Sequence, residues 1–239
     1  MNRSLNIEPV KNILGDLFGL FYPHRCPGCG SDQLAKHQRL CIKCNLDLPL
    51  TGFHLHAGNP VERIFWGRVP LAAAASYLYF TKGSTLQTLL HEFKYRGNKE
   101  IGFYFGSRIG EALSSARRFS QVQMLAPLPL HYKKERRRGY NQAEILCQGI
   151  AGYMGLPVMP KVIERVADTQ TQTRNNREAR WKNMEKQFQL KDEKAVAGKH
   201  VLLVDDVITT GATLESCGAE LLKAPGSTLS IVSLAYTAL

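Results

Sequence analysis

Two clusters in this chain of 239 residues carry residue types and spacings that can do chemistry. The first is Val201-Leu-Leu-Val-Asp205-Asp206-Val-Ile-Thr209-Thr210-Gly211-Ala212-Thr213. An apolar strand over 201–204 brings two adjacent carboxylates to its C-terminal edge, where α/β sheets place their ligands. The turn behind them opens into a helix beginning near Ala212. Gly211 and the threonines allow close backbone approach, and free amides at a helix start favour a phosphate. One segment therefore offers acceptors for a cation or sugar hydroxyls beside a cradle for a monophosphate, which is what a ribose 5-phosphate needs. The lysine of a Walker loop is missing, and so is a Rossmann G-x-G-x-x-G. A Thr-rich turn could also do no more than cap a helix. Two acids at the end of a buried strand argue against that, because unpaired carboxylates are costly there.

The second cluster is Cys26-Pro-Gly-Cys29-Gly followed by Cys41-Ile-Lys-Cys44. Each C-x2-C turn sets two thiolates on one side of a knuckle, and two knuckles close a tetrahedral sulfur shell. Structural zinc is the expected occupant, mononuclear iron competes for the same ligands, and disulfides come third in a reducing compartment. His24 and His37 stand near enough to be alternative ligands, but four thiolates leave them no place in the shell. Folding a segment without a core is the module's plain role, and contact with a partner or nucleic acid is the other reading. Cys147 and Cys217 lie alone in helical surroundings and read as small buried hydrophobes.

Around these clusters the chain alternates. Ile13, Leu14, Leu17, Phe18 and Phe21 predict a short amphipathic helix over 10–21. The cysteine-, Gly- and His-rich stretch after it ends at Asn59-Pro60, which places a domain boundary there, with 1–60 as the N-terminal helix and ribbon and 61–239 as the larger domain. Strands are expected over 72–80, 122–130, 158–163, 201–204 and 229–234. Helical spacing covers Leu86 to Phe93, Ile101 to Leu113, 140–153 and 212–223. This alternation predicts an α/β fold with a parallel sheet. The polar segment 169–183 reads as a mobile loop.

Thirty-one Lys and Arg against twenty Asp and Glu give a net charge of +11, which suits polyanionic company or a merely solvated surface. No apolar run approaches the ~18–20 residues of a membrane span, and Asp16 interrupts the only stretch that could pass for a signal peptide. The expected location is the cytoplasm, with no membrane insertion.

The segment 201–213 resembles the phosphoribosyl pyrophosphate (PRPP) motif of type I phosphoribosyltransferases. Together with the cysteine module it resembles the ComF family (ComFC, or GntX). Three further segments carry the likeness: Phe93-Lys94-Tyr95-Arg96-Gly97; Pro127-Leu-Pro129-Leu130 with Arg136-Arg-Arg138-Gly139-Tyr140-Asn141-Gln142-Ala143; and Arg165, Thr169, Gln172, Arg177, Asn183 and Phe188. The resemblance implies a phosphoribosyltransferase-type domain behind a zinc ribbon. It implies that Asp205 and Asp206 bind ribose hydroxyls or magnesium, and that Thr209, Thr210, Gly211, Ala212 and Thr213 hold the 5-phosphate. It places the pyrophosphate loop at Pro127–Leu130. Arg138 is then the expected catalytic cation among Lys133, Lys134, Arg136, Arg137 and Arg138, a group that would equally suit a DNA backbone. Arg165, Arg177 and Arg180 could close over a diphosphate. Tyr95 and Tyr140 would stack a base or sit in the core.

Three functions compete on this reading. The first is a PRPP-binding protein of natural competence and the use of imported DNA, partnered by single-stranded DNA or the uptake machinery. The second is a magnesium-dependent phosphoribosyltransferase of nucleotide salvage. The third is a PRPP-sensing adaptor without turnover.

Overall fold

The structure, a computed structural model, describes residues 25–32, 34–35, 38–166 and 187–238. The helix expected over 10–21, His24, His37 and the 169–183 segment with Arg177 and Arg180 lie outside the described residues. The chain divides into two compact units, Met1–Leu48 and Pro49–Leu239.

In the first unit the peptide folds back at each cysteine pair. Gly30, at φ +76°, donates its amide to Cys26 O at 2.8 Å, a left-handed turn that glycine adopts without a Cβ penalty. Helix α1 (Ile42–Leu46) starts at Cys41, whose Sγ accepts the amide of Cys44.

The second unit begins before Asn59-Pro60, so that punctuation lies inside it. Asn59 caps helix α2 (Pro60–Phe65) through Oδ1, while its Nδ2 donates to Ala74 O at 2.8 Å. These bonds tie the turn to the sheet and explain why the division falls earlier, at Leu48/Pro49. The order that follows is β1 (Ala73–Tyr79), α3 (Thr85–Tyr95), α4 (Lys99–Ser114), β2 (Met124–Pro127), α5 (Tyr132–Arg138) and α6 (Gln142–Met154). Next come β3 (Ile163–Arg165), β4 (Phe188–Leu190), α7 (Glu193–Val196), β5 (His200–Ile208), α8 (Ala212–Leu221) and β6 (Thr228–Tyr236).

Four strands form one parallel sheet in the order β1-β6-β5-β2, and β3 and β4 pair antiparallel as a separate ribbon. The central strands β5 and β6 are buried along nearly their whole length, as expected of a parallel sheet covered on both faces. Two strands differ from the sequence expectation. β2 stops at Pro127 rather than 130, because Pro129 has no amide to donate and the Leu128 carbonyl is taken by Asn141. β5 runs on to Ile208, so the two acids sit within the strand and not beyond it. The strand expected over 158–163 is a single parallel bridge at Val158 followed by β3.

α4 and α6 pack backbone to backbone. A Cβ built on Gly149 would lie 2.4 Å from Phe103 O and 2.7 Å from Ser107 N, and one on Gly106 would lie 2.4 Å from Leu146 O. Neither site has a flexible side chain that could yield. α6 in turn rests on β5 and β2, which carries the sheet edge where the acids emerge.

Candidate functional site

The sulfurs of Cys26, Cys29, Cys41 and Cys44 all lie within 4.8 Å of one another. Cys29 Sγ and Cys41 Sγ are 3.7 Å apart, close to the ~3.8 Å edge of a tetrahedron with Zn–S bonds of ~2.3 Å. Burial opposes ionisation of Cys26, but the amides of Cys41, Cys29 and Gly28 outweigh it and bring the thiol down to about 7. Burial and the neighbouring thiols push Cys44 far up instead. A cation at the centre would relieve that penalty. The donor set therefore fits zinc, which would supply folding energy and no open coordination position. We expect one zinc per chain. Cys41→Ser should release it and expose residues 25–48 to protease, leaving the 49–239 unit intact; zinc retained in that variant would remove the assignment.

In the second unit the side chains of Asp205 and Asp206 leave opposite faces of β5, as adjacent strand residues must. Asp206 pairs with Lys94 on the last turn of α3, Nζ to Oδ2 2.8 Å, with both side chains largely buried. The Asp206 amide donates to Asp205 Oδ1 at 2.7 Å. Asp205 is pushed up to about 7, first by burial and then by the charge of Asp206, against the pull of its own backbone bond, Lys94 and Arg138.

The sign of the linkage follows. The folded protein holds a proton on Asp205 that the unfolded chain gives up near pH 4, so this group's contribution to stability falls as pH rises from about 4 and levels off above about 7. Asp205→Asn should abolish that slope, with wild type and variant diverging in chemical denaturation between about pH 4 and 7. Parallel stability profiles would show that burial does not hold the proton.

The turn after β5 is shaped by its packing. Gly211 sits at φ +74°, and a Cβ there would meet Ile64 Cγ2 at 2.6 Å and the Phe65 ring at 3.0 Å. Arg68 donates to Thr210 O at 3.2 Å and pairs with Glu215, which pins the turn to α8 from outside. Thr209, Thr210 and Ala212 are exposed and Thr213 is half-buried. The turn thus exposes Thr209, Thr210 and Ala212 to solvent next to the carboxylates, while Gly211 is buried.

The Arg138-Gly-Tyr-Asn-Gln142 stretch works as a clamp. Tyr140 is buried and its hydroxyl donates to Phe93 O. Asn141 Nδ2 donates to Leu128 O at 3.0 Å, and Leu128 N donates to Val204 O at 2.8 Å. Gln142 Oε1 accepts from Arg138 Nη1 at 2.7 Å, and the Arg138 guanidinium lies 5.5 Å over the Tyr95 ring. Residues 127–128 are held in this way beside the start of the acidic pair. Arg136 and Arg137, with Lys133 and Lys134, stay on the exposed side of α5.

Arg165 lies on β3, its guanidinium 5.5 Å over Phe188. It and Asp205 both act on the thiol of Cys217, which like Cys147 is fully buried. Of the expected site residues, the structure brings together Asp205, Asp206, the 209–213 turn and Arg138.

Sequence reasoning missed the role of Lys94 and the open cleft beside it. That cleft, about 480 Å³, is lined by Phe80, Leu90, His91, Lys94, Tyr95 and Asp206, among others. Lys94 stands in the Phe93-Lys94-Tyr95-Arg96-Gly97 segment, but only the tertiary fold shows where its ammonium goes. One carboxylate at the rim of a cleft suits magnesium, which takes one or two carboxylates and fills its octahedron with water and phosphate oxygens.

Residues 136–237 match the phosphoribosyl transferase domain family. The chain is similar to the DNA utilization protein YhgH of Salmonella typhi, 31% identical over 214 residues covering 87% of this chain and 90% of that one. It is also similar to Competence protein F of Haemophilus influenzae, 29% identical over 220 residues covering 85% and 93%. Among solved structures, the glutamine phosphoribosylpyrophosphate amidotransferase from Bacillus subtilis complexed with ADP and GMP superposes with a TM-score of 0.42 at 14% identity, over 59% of this chain and 30% of that chain. Among the described residues no helix is long and apolar enough to cross a membrane.

Proposed function

We propose that this chain, which belongs to the ComF family and carries its phosphoribosyl transferase domain, binds PRPP with magnesium and serves in the cytoplasm in natural competence and the use of imported DNA. The observation that carries the reading is the adjacency of Asp206, lining a cleft, to the exposed Thr209-Thr210 turn that leads into α8. The turn and the start of α8 take the 5-phosphate, with Gly211 letting the turn close against Ile64 and Phe65. Asp205 and Asp206 take the ribose side. Residues 127–130, clamped by Asn141, face the diphosphate together with Arg138, whose guanidinium meets the negative charge that grows on the leaving group. The chemistry magnesium supplies when bound is neutralisation of charge on the diphosphate oxygens. The exposed cations of α5 suit the backbone of single-stranded DNA.

Turnover is the second reading, favoured by the cleft beside Asp206, which leaves room for an acceptor. A melting curve of zinc-replete protein with PRPP and Mg²⁺ tests binding, and a rise in melting temperature is expected. Pyrophosphate release across a panel of nucleobases then separates a transferase from a sensor. An unmoved melting curve would retire the phosphoribosyl reading in both forms.

A further inference from the structure

The Phe93-Lys94-Tyr95 segment has no part in the phosphate cradle, yet it reaches the centre of the site. Phe93 is buried and its carbonyl accepts the Tyr140 hydroxyl, so the end of α3 is fixed to the link between α5 and α6. From that anchored turn Lys94 extends to Asp206 Oδ2 at 2.8 Å, with side-chain exposures of only 19% and 15%. Next to it Tyr95 carries the Arg138 guanidinium on its ring. The rim carboxylate that a divalent cation would need is already neutralised by a side chain of this protein, and a second fixed cation stands nearby.

We propose that Lys94 is a specificity-determining residue that makes the site refuse a bare divalent cation and accept one only together with a phosphorylated ligand. The proposal rests on reading Asp205–Asp206 as a metal-assisted phosphoribosyl site. A dication arriving alone must displace the ammonium from Asp206 and leave it half-buried beside a like charge, which the low local dielectric makes unfavourable. A ligand that brings phosphate oxygens gives Lys94 another partner. The four-carbon stem lets the ammonium move over while α3 stays in place. Asp206 is then free for the cation. Metal and ligand are thereby coupled through one side chain, and the coupling is reciprocal: each raises the affinity of the other by the same factor.

The test is Mn²⁺ titration of full-length, zinc-replete protein, read from the spin-resonance signal of free Mn²⁺, with and without PRPP. Wild type should show no saturable Mn²⁺ binding dependent on Asp206 up to ~1 mM, and PRPP should create it with a gain of about tenfold or more, within the usual range of coupling between sites. Lys94→Met should bind Mn²⁺ alone about tenfold more tightly or better, and should lose that gain when combined with Asp206→Asn. Lys94→Arg, which keeps the charge, should refuse the bare ion as wild type does. Lys94→Gln serves as the second neutral variant if the methionine variant shows a non-native circular dichroism spectrum.

Equal Mn²⁺ affinity in wild type and the neutral variants would overturn the proposal. So would a gain that survives Asp206→Asn. The arm without PRPP scores Lys94 by itself, so a wild type that binds no PRPP removes the phosphoribosyl reading while the metal comparison still decides the role of Lys94.

Discussion

Replacing Asp205 and Asp206 together by alanine is expected to abolish the rise in melting temperature that PRPP and Mg²⁺ produce, while leaving the unliganded protein no less stable than wild type. A ligand at a hundred times its Kd stabilises by about 2.7 kcal/mol. For a folded unit of this size that is a rise of about 5–10 °C. The double variant removes the acceptors that would hold ribose and metal, so the whole rise is at stake. Its basal stability is a separate matter. Asp205 is half-buried and pushed up to about 7, and ionising it in place costs the native state at neutral pH. Losing that carboxyl should offset the loss of the Lys94–Asp206 pair. Calorimetric melting of both proteins, with and without ligand, reads both quantities. A variant that keeps the full rise would mean that the acids take no part in binding.

Gly149→Ala is expected to be among the most damaging single changes in the 49–239 unit. Alanine normally stabilises a helix interior by up to ~1 kcal/mol over glycine. Here the new methyl would sit 2.4 Å from Phe103 O and 2.7 Å from Ser107 N, atoms of a neighbouring helix that can yield only by moving as a body. We expect a net loss of about 1–3 kcal/mol, in the range of overpacked cores, and a fall in melting temperature of roughly 2–12 °C. Gly152→Ala is the matched control. On the same helix its Cβ would find only Phe103 Cζ, at 3.8 Å, so it should be neutral or slightly stabilising. Equal effects at the two positions would mean that α4 and α6 can separate freely.

What the sequence made legible follows how local each signal is. The two acids and the 209–213 turn are contiguous, so type and spacing were enough to bring them together. The four cysteines come as two short repeats whose geometry is fixed by the ligand shell. The parallel sheet was visible in the unbroken apolar run Val201–Val204 and in the alternation of strands with helices, although β5 continues through Val207 and Ile208 past the two acids. Contacts between distant segments were not legible. Nothing local tells that Lys94 meets Asp206, that Tyr95 lies beneath Arg138, or that Asn141 holds Leu128 O. Asn59-Pro60 reads as punctuation in the sequence, and in the fold the same dipeptide starts helix α2, with Asn59 bonded to Ala74 O.

The strand order β1-β6-β5-β2 also constrains how the protein can be made. During synthesis β1 and β2 emerge before both central strands, and β1 waits for β6, which follows every other described strand in chain order. Until β6 has left the ribosome, the run Ala73–Tyr79 has no strand beside it in the parallel sheet. The nascent chain carries an unpaired, sticky edge over that interval, the period when holding chaperones are of most use to it.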